Sequence, residues 1–500
     1  MLRVAISIAS LLSFTATVRA ATCDDVLARI GTQLADITCV HSDDLTTANS
    51  ATTPANNSIP GLPAFAFTPI TDRGVISPNP PDRTPIAKPV PGIQLDARFA
   101  DDATGEARFL LRLPDVWNGD LVVSGASGTR SEFNGDFAWS DYVIQKGFAY
   151  ASQNKGILNF FLTAPDPALA PPGAASDSLA CRIQPPPSPL AALFAHFYDN
   201  DPQKPFTEWQ SRIVQAARTA GDGVKGGYGR APRHTFAVGT SNGGYQVRRA
   251  VEEAPDLFDG GVDWEGTFVD GGTFNLLSDL PPAVKNFPLY VASGYDPNSA
   301  AAQAIEAAGY PPDIVNRSSA GVVTGSLWQN YYFQFWEVTQ CQWQKRLDPG
   351  YNTYGSGIGN YDYFARTKVS DVEQNLDAFA TTGKIKVPLI TIAGTMDGLL
   401  PIKHHARAYA DKVAASRKGN DVHRHPQYRL YEVQNGNHIE TFRDQFAQLE
   451  FIQPHAQKAF DLLIAHVEDG APLPPDQCIP RGGSISGTAM SGRCAQLRAP

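Results

Sequence analysis

A serine between two glycines has the pattern of a nucleophile. Residues 239–243 read Gly-Thr-Ser-Asn-Gly, with Ser241 at the centre and the apolar stretch Thr-Phe-Ala-Val just before them. A catalytic serine of this type lies on a strained turn between a strand and a helix, where small neighbours let other backbone pass close by. The spacing therefore predicts that Ser241 is a nucleophile. The alternative is a strand–helix connection with an inert serine.

A serine hydroxyl attacks only when a histidine takes its proton and an acid orients that histidine. In proteins with this motif the acid and then the histidine follow the serine in the chain. Asp397 follows the apolar stretch Pro-Leu-Ile-Thr-Ile-Ala-Gly and is the predicted acid, although aspartate at such a place also caps helices. Its rivals are Asp263 and Asp270. His438 follows a second late strand, Tyr-Arg-Leu-Tyr-Glu-Val, and is the predicted base.

Ester or amide hydrolysis by serine also needs two backbone N–H groups directed at the oxyanion. The first is expected from Asn242, the residue after the serine. The second is expected from the glycine-containing loop that follows the strand Leu-Val-Val, with Gly125, Ala126 and Ser127 as candidates. The alternative for this loop is a simple turn.

Alternating strands and helices must position these groups, and this alternation predicts an α/β fold with a mostly parallel sheet. The α/β rhythm is interrupted over residues 262–384, where aromatic side chains accumulate, and we predict that this segment is a lid. Four of its aromatic residues share one face at helical spacing and are the predicted substrate-binding residues, while Tyr331 and Phe333 are expected to point elsewhere. The four are Trp328, Tyr332, Phe335 and Trp336.

The N-terminus and the cysteines predict an oxidising compartment. Residues 1–20 combine an early arginine, an apolar centre and a Val-Arg-Ala end, which is typical of a secretory signal peptide. The chain has six cysteines, an even number that suits disulfides. We expect two local pairs and one long-range pair, although the sequence alone does not choose among the possible pairings. The expected pairs are Cys23 with Cys39, Cys478 with Cys494, and Cys181 with Cys341.

Composition restricts the other classes of function. The chain has 500 residues, 42% of them hydrophobic and 18% charged, with a net charge of −9 and no long basic block, which argues against nucleic acid as a partner. After the signal peptide no apolar stretch is long enough for a membrane span. No cysteine or histidine group has zinc spacing, so we expect no metal and no cofactor.

Four stretches resemble secreted α/β-hydrolase esterases and occur in the same order as in that family. They are WNGDLVVSGASG, GTSNGGYQVRRAVEEAPDLFDGGV, GTMDGLLP and NGNHIE. Over residues 110–265 and 385–445 the chain looks most like the tannase and feruloyl esterase group, and more loosely like bacterial hydrolases of hydroxyalkanoate oligomers. That group usually has a disulfide between cysteines beside the nucleophile and the histidine, where this chain has Thr240 and Asn437. It often binds calcium in the lid, but no matching aspartate cluster occurs here.

The resemblance implies an α/β-hydrolase with a mostly parallel sheet and an aromatic-rich lid inserted before the catalytic acid. It implies a secreted (extracellular or periplasmic) serine carboxylic ester hydrolase that acts on a small-molecule or oligomeric ester. The substrate would be bulky or hydrophobic: a phenolic ester, a polyester or a hydroxyalkanoate oligomer. The alternatives are a secreted serine peptidase of the same fold and an inactive relative that binds a ligand. The predicted organisation is a signal peptide (1–20), a Pro-rich arm (21–95), an α/β-hydrolase core (96–261 and 385–470), a lid (262–384) and a C-terminal tail (471–500).

Overall fold

The computed structural model of the chain is built around one large β-sheet. It describes residues 21–52, 84–128, 131–133, 135–157, 161–162, 177, 179–196, 206, 208–351, 360–417, 427–489 and 492–499. In these residues the strands are β1 (Leu34–Ser42), β2 (Gly92–Phe99), β3 (Arg108–Pro114), β4 (Leu121–Gly125), β5 (Ala149–Gln153), β6 (Phe161–Leu162), β7 (Cys181–Arg182), β8 (Phe194–His196), β9 (Thr235–Thr240), β10 (Gly260–Trp264), β11 (Val315–Arg317), β12 (Val323–Ser326), β13 (Leu389–Gly394), β14 (Tyr428–Val433) and β15 (Gln477–Ile479).

The helices lie between and beyond these strands. The α-helices of the described residues are α1 (Cys23–Ile30), α2 (Asp141–Ile144), α3 (Glu208–Tyr228), α4 (Asn242–Glu253), α5 (Leu276–Ala292), α6 (Ala300–Ala307), α7 (Leu327–Tyr331), α8 (Glu337–Leu347), α9 (Tyr363–Arg366), α10 (Val372–Asp377), α11 (Ala406–Ser416) and α12 (Gln453–Asp469). The described part of the chain also contains two π-helical segments, Asp136–Ser140 and Tyr332–Trp336.

The large sheet has ten strands in the order β1-β2-β3-β5-β4-β9-β10-β13-β14-β15. From β5 to β15 every neighbouring pair is parallel, whereas β1, β2 and β3 join the sheet by antiparallel pairing. Because the carboxyl ends of parallel strands meet at one edge, residues that follow β4, β9, β10, β13 and β14 share that edge. This is an α/β-hydrolase fold with a mostly parallel central sheet, as predicted.

Both faces of the sheet are covered, and this explains the apolar run Phe236–Val238 in the middle of β9. Ala237 belongs to a core cluster that contains Ile213 of α3 and Val247 of α4. Val238, whose side chain points to the opposite face, belongs to a cluster that contains Phe460 of α12. A strand covered on both faces needs a continuous apolar run and not an alternating one. All six residues of β9 are buried.

The structure differs from the predicted segment boundaries at both ends of the core. The predicted arm over 21–95 includes α1, β1 and the start of β2, because alternating burial along β1 lets it pair with β2 at the sheet edge. Likewise, β15 of the predicted tail (471–500) pairs with β14. The predicted signal peptide (1–20) and residues 53–83 lie outside the described residues.

Residues 262–384, predicted as a lid, begin inside the sheet because β10 extends to Trp264. The part after β10 contains α5 to α10 and the β11–β12 hairpin. Its aromatic residues form a buried cluster together with residues from the sheet's carboxyl edge, such as Met396 and Ile439. The insertion therefore shares one core with the loops that carry the predicted catalytic acid and base.

All six cysteines are paired as predicted. Disulfides join Cys23 to Cys39, Cys181 to Cys341, and Cys478 to Cys494. The second of these connects β7 to α8 across a sequence separation of 160 residues. Among the described helices, none combines the length and the apolar character that a membrane crossing requires.

Candidate active site

Ser241 lies on a strained turn between β9 and α4. Its backbone has φ of 60° and ψ of −121°, a conformation that non-glycine residues rarely adopt. The neighbouring backbone is very close: a Cβ atom on Gly239 would lie 2.4 Å from the carbonyl oxygen of Gly243. The Ser241 N–H donates to the carbonyl of Trp264 at 2.9 Å, which ties the turn to β10. This geometry is the one that the glycine spacing predicts.

Asp397 and His438 meet at the same edge of the sheet. The carboxylate oxygen Oδ2 of Asp397 lies 2.8 Å from Nδ1 of His438, and both side chains are almost completely buried. The other oxygen, Oδ1, accepts the backbone N–H groups of Leu399 and Leu400, both at 2.7 Å. Asp397 thus caps its own turn and also binds the imidazole. With Nδ1 as the donor to Asp397, Nε2 of His438 is left as the proton acceptor.

The two rival acids have other partners. Asp263 is completely buried and forms an ion pair at 2.6 Å with Arg248, which is also completely buried. Burial raises the pKa of Asp263, although the Arg248 charge and its hydrogen bonds oppose this rise. Asp270 pairs with Lys412. Neither carboxylate is joined to His438 by a hydrogen bond in the described structure.

The predicted oxyanion loop is attached directly to the nucleophile turn. Gly125 ends β4 and pairs with Gly239 of β9. A Cβ atom on Gly243 would lie 2.3 Å from the carbonyl oxygen of Gly125, so only glycine allows this approach. The hydroxyl of Ser127 donates to the carbonyl of Thr240 at 2.7 Å.

Polar side chains on neighbouring elements hold the same loop and the start of α4. The amide of Gln246 donates to the carbonyls of Ala126 and of Asn242, at 2.8 and 3.1 Å. The Oδ1 atom of Asn242 accepts the hydroxyl of Thr267 at 2.9 Å. Asn242 and the Gly125–Ser127 loop are therefore close neighbours, as an oxyanion hole requires.

Lys155, which the sequence analysis missed, also binds the predicted oxyanion loop. This lysine is fully buried, and its ammonium group donates to the carbonyl of Gly128 at 2.6 Å and to that of Ser127. A charged donor to two carbonyls binds more strongly than a neutral one. In the sequence, the feature that could have drawn attention to Lys155 is its position in Gln-Asn-Lys-Gly, at the end of strand β5.

The predicted aromatic residues divide between two positions. Trp328 and Tyr332 pack towards α5, where Tyr332 stacks on Phe287 with ring centroids 4.6 Å apart. Trp336 instead donates from its ring N–H to the carbonyl of Gly398, beside Asp397, at 2.6 Å.

Phe335 and Tyr331 lie near the segment that carries His438. Both rings contact Phe442, with centroids 6.3 and 5.3 Å away. Tyr331, expected to point elsewhere, donates from its hydroxyl to Oδ1 of Asn437 at 2.7 Å. The π-helical turn over Tyr332–Trp336 changes the spacing, so the assumption of regular helical spacing fails here.

Glu265 is a second carboxylic acid beside the histidine, and the sequence analysis missed it. It follows β10 directly, and its Oε2 lies 3.4 Å from Nδ1 of His438. Burial, followed by the charge of Asp397, raises the pKa of Glu265 well above its usual range. In the described residues, Glu265, Asp397 and His438 form the one group whose ligand atoms are close enough for a metal, all within 4.8 Å. The 2.8 Å contact between Asp397 and His438 has the length of a charge-assisted hydrogen bond.

Part of the sequence is similar to known hydrolases. A family model described as 3HB-oligomer hydrolase (3HBOH) matches residues 350–498, a segment that includes Asp397 and His438 but not Ser241. D-(-)-3-hydroxybutyrate oligomer hydrolase of Burkholderia thailandensis is 34% identical over 130 residues, which are 25% of this chain and 18% of that relative. The protein of the same name from Burkholderia vietnamiensis is 33% identical over 121 residues, 23% of this chain and 17% of its own. The chain thus matches less than a fifth of the length of these relatives.

Solved structures of esterases are similar over most of the chain. Feruloyl esterase B from Aspergillus oryzae has a TM-score of 0.45 and 12% identity, with 88% of this chain and 87% of that chain covered. Tannin acyl hydrolase from Aspergillus niger has a TM-score of 0.46 and 11% identity, with 90% and 87% covered. The chain therefore resembles the tannase and feruloyl esterase group in structure and the 3HB-oligomer hydrolases in part of its sequence.

Proposed function

We propose that the chain is a secreted serine carboxylic ester hydrolase that acts through an acyl-enzyme. The observation that carries this proposal is the strained turn at Ser241 on the same sheet edge as the bonded pair of Asp397 and His438. The partial similarity to 3HB-oligomer hydrolases favours an oligomeric hydroxyalkanoate ester as the substrate. The three disulfides support secretion, because such bonds persist in oxidising compartments.

In the proposed reaction, Nε2 of His438 takes the proton of Ser241 while the serine oxygen attacks the ester carbonyl. Asp397 holds Nδ1–H, fixes the tautomer and stabilises the imidazolium that forms. The carbonyl oxygen becomes an oxyanion bound by the N–H of Asn242 and by one N–H of the Gly125–Ser127 loop. His438 then protonates the leaving alcohol. Water, activated by the same histidine, releases the acid and regenerates the serine.

We also propose that the insertion after β10 is a lid whose aromatic side chains bind the acyl chain. Trp336 and Phe335 support this role because they contact the loops that carry Asp397 and His438. Trp328 and Tyr332 would stabilise the lid itself, since they pack against α5. Aromatic walls suit a bulky or hydrophobic ester better than a small polar one.

A panel of substrates tests the reaction type. We expect hydrolysis of 3-hydroxybutyrate oligomers and p-nitrophenyl esters, labelling by a fluorophosphonate, and no cleavage of peptide anilides. Ser241→Ala should lower kcat by about three orders of magnitude or more and abolish labelling, with an unchanged melting temperature. Normal turnover by this variant would refute the proposed nucleophile. Cleavage of peptides alone would favour a peptidase, and preference for phenolic esters would move the substrate to the tannase class.

A further inference from the structure

Glu265 occupies a position that the proposed mechanism does not use. Its side chain is 1% exposed, and Oε1 accepts the N–H of Gly394, the last residue of β13, at 2.9 Å. Oε2 accepts the ring N–H of Trp264 at 3.2 Å and lies 3.4 Å from Nδ1 of His438. Its own backbone N–H donates to the carbonyl of Ile392 at 2.8 Å. The carboxyl group is therefore fixed between β10 and β13 and faces the imidazole.

Two buried carboxyl groups thus lie beside one imidazole nitrogen, Asp397 at hydrogen-bond distance and Glu265 at 3.4 Å. Asp397 accepts two backbone N–H groups in addition to the imidazole. Glu265 accepts fewer donors. Burial raises its pKa, the neighbouring charge of Asp397 raises it further, and Glu440 adds to the rise. This environment favours the protonated form of Glu265 in the resting protein.

We propose that Glu265 is a reserve acid of the triad, a positioning residue that holds the His438 imidazole beside Asp397 and replaces Asp397 when that carboxylate is removed. The proposal rests on the function proposed for Ser241, Asp397 and His438. No bond forms or breaks at Glu265 in the wild-type reaction. When Asp397 is absent, the Glu265 proton passes to solvent, and the new carboxylate accepts Nδ1–H from a distance that starts at 3.4 Å.

The choice of variant at Asp397 follows from its hydrogen bonds. Asparagine would keep its oxygen on the N–H groups of Leu399 and Leu400 and would present its NH2 group to Nδ1, which enforces the wrong tautomer. Alanine leaves Nδ1–H free to be accepted by Glu265. The informative variants are therefore Asp397→Ala, Glu265→Gln and the combination of both.

A double-mutant cycle on kcat tests the proposal. A triad without its acid loses about 10⁴ in kcat, so the double variant should show a loss of this size. Asp397→Ala alone should lose only about 10- to 100-fold, well short of the full loss of an acid. Glu265→Gln alone should have a small effect. The cycle is repeated with Glu265→Met. The methionine side chain, unlike the glutamine amide, accepts no hydrogen bond from the imidazole.

The pH profile separates positioning from support of the fold. In Asp397→Ala the acid limb of kcat should move to higher pH, because the buried Glu265 must lose its proton before it can orient the histidine. This shift should be absent from the double variant. Glu252→Gln in the Asp397→Ala background is the matched control, because Glu252 is a buried carboxyl group ten residues after Asn242, about 15 Å along α4 from the turn at Ser241.

Two results would overturn the inference. One is the same fold-loss from Glu265→Gln in the wild type and in Asp397→Ala. The other is an acid limb in Asp397→Ala that Glu265→Gln does not change. If instead Ser241→Ala keeps its turnover, the proposed function has failed, so the two failures are distinguishable.

Discussion

Replacing Gly243 by alanine is expected to lower kcat about 100-fold without unfolding the protein, because it separates the two halves of the proposed oxyanion hole. The new Cβ would lie 2.3 Å from the carbonyl oxygen of Gly125 and 2.8 Å from its carbonyl carbon. Ordinary contact begins at 3.4 Å, more than 1 Å beyond the distance to the oxygen. Both opposing atoms belong to the backbone, so no side-chain rotation relieves the clash. The loop must move by about 1 Å, and a misplacement of this size costs about 10² in rate.

The assay is steady-state hydrolysis of p-nitrophenyl butyrate, with kcat and KM measured separately beside a thermal melt. Gly125→Ala approaches the same contact from the other side, since its Cβ would lie 2.6 Å from the carbonyl oxygen of Gly243, and should show a similar loss. Gly221→Ala is the control, because no atom lies within 4 Å of the added Cβ in the middle of α3. A normal kcat for Gly243→Ala with an intact fold would refute the reasoning.

Lys155→Met is expected to lower kcat about 10²-fold or more, because the oxyanion loop loses its charged support, and an unchanged kcat would contradict this role. Replacing Cys181 and Cys341 together by serine should cost about 5 kcal/mol of unfolding free energy for a closed loop of 160 residues, against about 3 kcal/mol for either 16-residue loop. Urea unfolding ranks the three variants, and equal losses would refute the loop-length argument. Tyr331→Phe should lower kcat about fivefold through the lost bond to Asn437, whereas a change confined to KM would point to substrate contact instead.

Local sequence patterns were sufficient for features that depend on neighbours along the chain. The two glycines around Ser241 predicted its turn, because only small residues tolerate the backbone that passes there. The prediction that Asp397 and His438 lie close together rested on each following an apolar strand, since parallel strands end at one edge. The disulfides match the expected two local pairs and one long-range pair, although the sequence alone did not choose among the possible pairings.

Features that depend on partners far along the chain were beyond the sequence. Glu265 acts on an imidazole more than 170 residues away, and from the sequence it is one acid among several after β10. Lys155 looks like an ordinary surface lysine in a polar turn until its partners at 127 and 128 are known. The π-helical segment Tyr332–Trp336 changes the spacing between Tyr331 and the aromatic residues after it. Regular helical spacing therefore does not predict where Tyr331 points.

The contact of Tyr331 also explains how the histidine loop is held in a chain without cysteines at 240 and 437. Asn437 accepts the hydroxyl of Tyr331 at 2.7 Å and donates to the carbonyl of Ile439 at 2.8 Å. Two hydrogen bonds therefore fix the side chain that precedes His438. The ring of Tyr331 also lies against Gly398, where an added Cβ would be 2.4 Å away. One aromatic side chain of the insertion therefore contacts both the loop of the acid and the loop of the histidine. Because neither contact is covalent, a displacement of the Tyr331 side chain would disturb both loops together.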